Sequence, residues 1–456
     1  MKPKTFYLQF LGVFLFVIAS HVSYSQNALN WEWAKRIVGT GKNFPYSMKA
    51  GSQGYIYVAG GFEDTLKLGN TQLVSKGSFD IYLLKYDANG VLVWAKQAGG
   101  ADSDEAYALT LDRTGNIYLT GYFSGLANFG SVQVKSNGDR DFFVAKYDKN
   151  GEPVWIRQGG SISEDYGNAM ATDEAGNVFI SGIYRDKITV GNITYHSKGD
   201  KDIFLIKYDS DGSVLWSTTG GGSMADETTS MVIDEKGNCY IAGDFEGLAE
   251  FNKKMIESLG KKDVFIAKYD NDGHIQWLNR AGSATGDDHV SSIATDFSGN
   301  VYITGYFSGL ANFGALELKN KSSHDMFLVK YDSGGREIWA RQTEGKGDEH
   351  ARSLKLDKEG NIYITGEFNV DFTFGSDNIK QLGDWDIFIL KYSNSGEMLR
   401  GSQIGGIGYD KAYCIELDDL SNIIITGYFS KKITIGTTIL SSTDADDGFI
   451  AKLKSF

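Results

Sequence analysis

The chain has 456 residues, with 45 Lys and Arg against 58 Asp and Glu, a formal net charge of −13. So acidic a surface repels phosphate backbones, which excludes nucleic acid as a partner. At 41% hydrophobic residues the composition is globular, and 56 Gly beside 3 Pro, with 25 Tyr and 27 Phe, points to many strands joined by tight turns.

In chain order, the first element is a leader. Lys2 and Lys4 precede a largely apolar stretch, Phe6 to Ala19, and Ser23-Tyr24-Ser25 places small residues where cleavage occurs. Residues 1–25 therefore read as a secretory signal peptide, too short in its apolar part for a spanning helix. The expected destination is the exterior or the cell surface, with the periplasm as the other exported compartment. No second hydrophobic run follows, so no membrane-spanning segment is expected in residues 26–456, which read as one domain and a monomer.

Next comes "WEWAKR" at 31–36, and after it a repeat. The phrase "GNIYLTGYFSGLANFG" at 115–130 returns as "GNVYITGYFSGLANFG" at 299–314. These are two members of a longer series that begins at Gly54, Gly115, Gly176, Gly237, Gly299, Gly360 and Ser421. A second phrase, D-x-[FY]-apolar-x-K, keeps the same register from Asp80 and Asp141 to Asp447. The period is about 61 residues, the range of stacked or circular repeat architectures.

Within the second repeat four strand-like stretches appear: 106–112, 116–123, 141–148 and 153–158. "DRTGN" and "DKNG" join them as hairpin turns, while the second and third are linked by a longer segment with room for a short strand. Ile117 and Leu119 fall on one face and Tyr118 and Tyr122 on the other, so each unit needs an apolar neighbour on both sides. A tryptophan recurs in the fourth strand at Trp94, Trp155, Trp216, Trp277 and Trp339, with Leu399 read as its sixth counterpart. The last repeat stops before its fourth strand, and Trp33 lies one period before Trp94. The sequence therefore predicts an all-β, closed seven-bladed β-propeller of four-stranded blades, the last completed by the N-terminal strand.

"GNIYLTGYF", "DFFVAKYDKNG" and "VWAKQAGG" (93–100) resemble the SBBP class of bacterial β-propeller repeats. The resemblance implies a propeller fold and export, and it brings no catalytic residues.

Motifs that carry chemistry shrink once the register is known. "YDSDG" (208–212) and "YDNDG" (269–273) look like pieces of a calcium loop but lack its later ligands, so they read as turns. Carboxylates gather before the first strands, among them Asp104, Asp165, Asp226, Asp288, Glu349 and Asp410. They read as acceptors for backbone N–H groups of the crossing turns rather than as a cation-attracting collar. Cys239 and Cys414 fall at different repeat positions, so no disulfide is expected. His289 and His350 follow acids in neighbouring repeats, yet no tight ligand spacing calls for a metal, and nothing calls for a cofactor. The repeat departs most from its pattern in blades five and six. Asp288, His289, Glu349, His350 and Trp385 are thus the candidate ligand contacts, on the rim carrying the long connections. The leading expectation is a non-enzymatic binding or scaffold module for a protein or glycan. The alternative is a lyase or hydrolase acting on a carbohydrate or lactone at the channel mouth.

Overall fold

The computed structural model describes residues 29–442 and 446–455. The predicted leader, 1–25, lies outside them. Among the described residues no helix is long and apolar enough to cross a membrane.

The fold is all-β and multi-sheet. In the second repeat the strands are Glu105–Leu111, Ile117–Phe129, Val132–Tyr147 and Pro153–Gly159. All pair antiparallel, with Leu109 opposite Leu119, Leu119 opposite Ala145, and Ala145 opposite Ile156. Alternation places successive side chains in different cores. Ile117 and Leu119 pack with Tyr57 and Ala59 of the preceding repeat, whereas Tyr118 packs with Met170 and Ile180 of the following one. Each sheet is thus apolar on both faces because it is sandwiched.

The first strands neighbour one another in cyclic order: Asn43–Ala50, Glu105–Leu111, Tyr166–Thr172, Glu227–Ile233, His289–Thr295, Glu349–Leu356, Asp410–Leu417, and back to Asn43–Ala50. The final sheet takes its outer strand from the N-terminus. Trp31–Ile37 lies antiparallel to Asp447–Leu453, with Trp33 opposite Lys452 and Arg36 opposite Phe449. The Arg36 guanidinium lies 2.6 Å from Asp447 Oδ2.

Two features differ from expectation. The long second-to-third connection holds not one short strand but a hairpin, such as Leu310–Phe313 with Leu316–Lys319. Several of these hairpins pair back onto the fourth strand of the preceding sheet, as in Gly99 opposite Asn128 and Gly100 opposite Ala127. That contact explains the recurring Gly-Gly pair: a Cβ on Gly100 would sit 1.9 Å from the Leu126 carbonyl oxygen. Second, the sixth position of the tryptophan series is Arg400, which faces Lys391 as Trp339 faces Lys330. Leu399 is exposed.

The tryptophans fasten neighbouring sheets. Trp33, Trp155, Trp216 and Trp277 each donate Nε1–H to a carbonyl in the third-to-fourth turn of the next repeat, at 3.0–3.2 Å. The calcium-like stretches are turns. Asp209 Oδ1 accepts the N–H groups of Asp211 and Ser213, and Asp270 Oδ1 those of Asp272 and His274. Cys239 and Cys414 are both free thiols.

Two outcomes follow for stability. Removing residues 29–37 bares the edge of Asp447–Leu453, so the truncated chain is expected to associate or lose cooperative unfolding in sedimentation and melting experiments. A monomer with unchanged melting would refute the closing role. Asp211→Asn and Asp272→Asn, both at exposed sites, should change stability by no more than about 0.5 kcal/mol. Asp209→Ala, which strips two acceptor bonds, should cost about 1 kcal/mol. A calcium-dependent melting shift abolished by Asp211→Asn or Asp272→Asn would overturn the turn assignment.

Candidate ligand site at the channel mouth

The crossings between sheets enter the first strands at one end of the ring. Here equivalent positions of the repeat diverge: Phe44, Glu105, Tyr166, Glu227, His289, His350 and Lys411. One step further in stand Tyr46, Tyr107, Asn168, Thr229, Ser291, Arg352 and Tyr413. A cavity of about 450 Å³ opens among them, lined by Tyr107, Tyr166, His289, Arg352 and Tyr413. Deeper in the channel Glu416 is held between Lys49 and Lys355, at 2.8 and 3.1 Å.

Half-buried rings run round much of the mouth. His289 lies 5.0 Å from Tyr306, Tyr306 4.2 Å from His350, and His350 5.2 Å from Trp385. The series continues through Tyr409, Tyr428, Tyr413 and Tyr46 to Tyr107, with centroids 5.2–6.0 Å apart. Such spacing is ordinary for tilted aromatic contacts and leaves ring faces and edges for a ligand.

Charge at the mouth is organised by Glu367, which is fully buried. It accepts from Arg352 Nε at 2.8 Å, with His350 Nδ1 and Lys411 Nζ each 3.7 Å away. Burial opposes its ionisation, but the Arg352 charge and hydrogen bonds, with His350 and Lys411 nearby, hold it below the usual glutamate range. Burial also lowers His350, against the pull of Glu367. Two sheets back, on Cys239–Phe251, Asp244 Oδ2 lies 2.5 Å from His289 Nδ1 of the sheet between, while Oδ1 accepts the Val290 N–H.

Of the residues singled out from sequence, His289, His350 and Trp385 meet in this series of rings. Asp288 and Glu349 do not face the cavity. Both are fully buried. Asp288 accepts the N–H groups of Ser283 and Ser308, and Glu349 accepts the Thr343 hydroxyl. They clamp the crossing turn, as Asp104 does by accepting from Gly100 and Ser124. Sequence reasoning missed Tyr306, Glu367, Arg352, Lys411 and His324. For Glu367, Arg352 and Lys411 the available signal was position, since each replaces unlike residues at an equivalent mouth site, whereas Tyr306 recurs as Tyr122 and Tyr428.

The model of the SBBP β-propeller repeat matches residues 93–129 and 276–313. The chain carries SBBP repeats. Over 459 aligned residues it is 25% identical to an uncharacterised WD repeat-containing protein of Acanthamoeba polyphaga mimivirus, covering 80% of this chain and 33% of that one. The regulatory protein FlaEY of Caulobacter vibrioides is 26% identical over 38% of this chain and 18% of its own length. The chain thus spans a third or less of these relatives. Among solved structures, BamB of Moraxella catarrhalis aligns over 94% of this chain and 100% of its own, at 11% identity and a TM-score of 0.40.

Behind the clamping acids of the SBBP repeats lies a second buried carboxyl, the aspartate that opens the third strand. A Cβ on Gly99 would lie 2.8 Å from Asp80 Cγ and 2.9 Å from Asp104 Oδ2, so the two acids approach across this glycine. Burial first, and the neighbouring acid second, push Asp410 up to about 8. Burial also lifts Asp104, Asp165 and Asp226 to about 7, against their backbone hydrogen bonds. A carboxyl raised on folding binds more protons in the native state than in the unfolded one. Its contribution is complete below the unfolded value near 4 and lost as pH rises through about 7–8. Melting at pH 5.5 should therefore exceed melting at pH 8.5, and Asp410→Asn should flatten this slope. A protein more stable at pH 8.5, with Asp410→Asn merely destabilising, would show that the acids stay ionised.

Proposed function

We propose that the chain is a closed seven-bladed propeller that binds a carbohydrate at the channel mouth. The cyclic order of the first strands and the pairing of Trp31–Ile37 with Asp447–Leu453 support closure. The leader read in residues 1–25 supports export, and a ring with no open edge supports a monomer.

One observation carries the binding reading. At the opposite rim the turns repeat one chemistry: Asp112, Asp173, Asp234, Asp296, Asp357 and Asp418 each accept N–H groups two and four residues on. A cavity of about 520 Å³ there is lined largely by such turn residues. At the mouth, by contrast, the equivalent position holds five different residue types. A fold needs uniform turns, whereas a specific site needs unlike groups converging. Rings such as Trp385, Tyr409 and Tyr413 offer the C–H faces of a sugar stacking area, while Arg352, Lys411 and Glu227 supply hydrogen bonds.

A catalytic role at the same mouth draws on the His289–Asp244 pair, a base with an orienting carboxylate. It would make the protein a carbohydrate lyase or hydrolase.

The test is an array of neutral and uronic-acid oligosaccharides probed with the full chain. Trp385→Ala and Tyr413→Ala should weaken the captured glycan about tenfold or more, equivalent to about 1.4 kcal/mol, with little change in melting. Release of new reducing or unsaturated ends, lost in His289→Ala, would establish the catalytic reading. Binding that survives these changes but fails when the short turns are altered would place the site on the wrong rim.

A further inference from the structure

The junction between the fifth and sixth repeats holds a group that the repeat does not explain. His324 stands immediately before the strand Asp325–Tyr331, Asp348 ends the crossing, and His350 is the second residue of Glu349–Leu356. One ligand atom from each of the three lies within 4.8 Å of the others.

One of these pairs stands at the separation a common ion would set. His324 Nδ1 is 3.4 Å from Asp348 Oδ1. Two donors bound tetrahedrally at about 2.0–2.1 Å stand about 3.3 Å apart. The surrounding bonds hold the donors in place. Asp348 Oδ1 accepts the His324 N–H at 3.0 Å and Oδ2 accepts Asn369 Nδ2 at 3.1 Å, while Asn369 Oδ1 takes the Asp348 N–H at 2.7 Å. On the other side, His350 Nδ1 faces Glu367 Oε1 at 3.7 Å, which leaves Nε2 as the atom available to a ligand. That Nε2 is buried and has no hydrogen-bonding partner. A buried donor or acceptor left unpaired costs about 1–3 kcal/mol, so an orphan in such a place asks for an explanation. A carboxylate behind the far nitrogen of a histidine is the usual support of a metal-bound imidazole.

We infer that His324, Asp348 and His350 bind one divalent transition-metal ion of the zinc type, leaving a coordination position open to the channel mouth. Two imidazoles and one carboxylate match three-ligand zinc sites, whereas calcium and magnesium take shells of oxygen. All three side chains keep partial exposure, at 31%, 23% and 16% for His324, Asp348 and His350, which gives an ion a way in. The preceding junction supplies an internal comparison: its equivalents are Lys262, Asp287 and His289. The lysine removes one ligand there, so the trio is a departure from the repeat rather than a recurring turn device. Arg352 and Lys411, beyond Glu367, offset much of the local negative charge and make the site one of moderate affinity.

The inference stands apart from carbohydrate binding, because its test uses metal alone. The untagged full chain is titrated with Zn²⁺ by calorimetry and with Co²⁺ by visible absorption. One equivalent should bind, with Co²⁺ bands of a four- or five-coordinate centre and a rise in melting temperature on Zn²⁺ addition. His324→Asn, chosen because this ring is partly exposed and lies outside the apolar cores, should abolish all three signals with unchanged circular dichroism. Asp348→Asn and His350→Ala should do the same, whereas His274→Ala, at an exposed turn, should not. Absence of stoichiometric binding, or binding that survives His324→Asn, would overturn the site. An equal melting shift with Ca²⁺ or Mg²⁺ would overturn the proposed ion class.

Discussion

Ile117 and Leu119 need one neighbouring sheet and Tyr118 needs another, and the same holds in every repeat. A linear stack would leave one apolar face bare at each end. Burying a large side chain is worth about 1.5–3 kcal/mol, so an uncovered face forgoes many such contributions. In this chain Ile37, Met48 and Val58 at the start share a core with Ile424 and Ile450 near the end. The first repeat therefore lies against the last, and the N-terminal strand completes the last sheet.

That arrangement divides the surface into parts with different freedom. The short-turn rim is fixed by conformation. Gly115 has φ +87° and Gly176 φ +80°, in the region that favours glycine, and an aspartate holds each loop by its N–H groups. Varying these turns would loosen the sheets themselves. At the other end the buried acids clamp the crossings from within, so the side chains that project over the channel carry little structural duty. His289, Trp385 and Tyr413 can differ from their counterparts at small cost to the scaffold. Sequence freedom gathers there because stability has been met elsewhere.

The sequence makes periodic features easy to read and convergent ones hard. Four strands, their two tight turns and the closing N-terminal strand follow from apolar alternation and from one period, without coordinates. The docking of each hairpin onto the preceding sheet was not legible. It joins a segment with mixed polarity to a Gly-Gly pair whose spacing says only that something approaches. Asp288 and Glu349 were drawn into the candidate site because acids beside histidines suggest chemistry, but their side chains turn inward, Asp288 to backbone N–H groups and Glu349 to the Thr343 hydroxyl. His324 was invisible for a different reason. It lies 26 residues from His350 along the chain, in a segment where repeat positions hold Phe79, Arg140 or Trp385. Only folding brings it against Tyr306 and His350, at ring distances of 5.3 Å from each.

The seam is the one joint that near-identical repeats could not close by repetition alone. Every other fourth strand is tied to its third by a short turn, whereas Trp31–Ile37 is tethered only through the whole ring. Loop-closure scaling makes that tether costlier by roughly 4 kcal/mol for about 400 residues against about five. The local chemistry changes at this point. Where Gln97 donates to Asp80, the seam places Arg36 on Asp447, and where Asp104 would add a second acid it places Asn43. One guanidinium then meets one carboxylate, a contact with opposite charges on the two partners, where Gln97 offers Asp80 a neutral amide donor. Trp33 adds a bond to the Ala88 carbonyl and lies over Gly90, where a Cβ would come within 2.8 Å of the indole. The closing strand is thus fastened to the last sheet by its backbone and Arg36, and to the first repeat by Trp33. A strand held on both sides in this way does not depend on its tether, which is why the repeat can be split between the two ends of the chain.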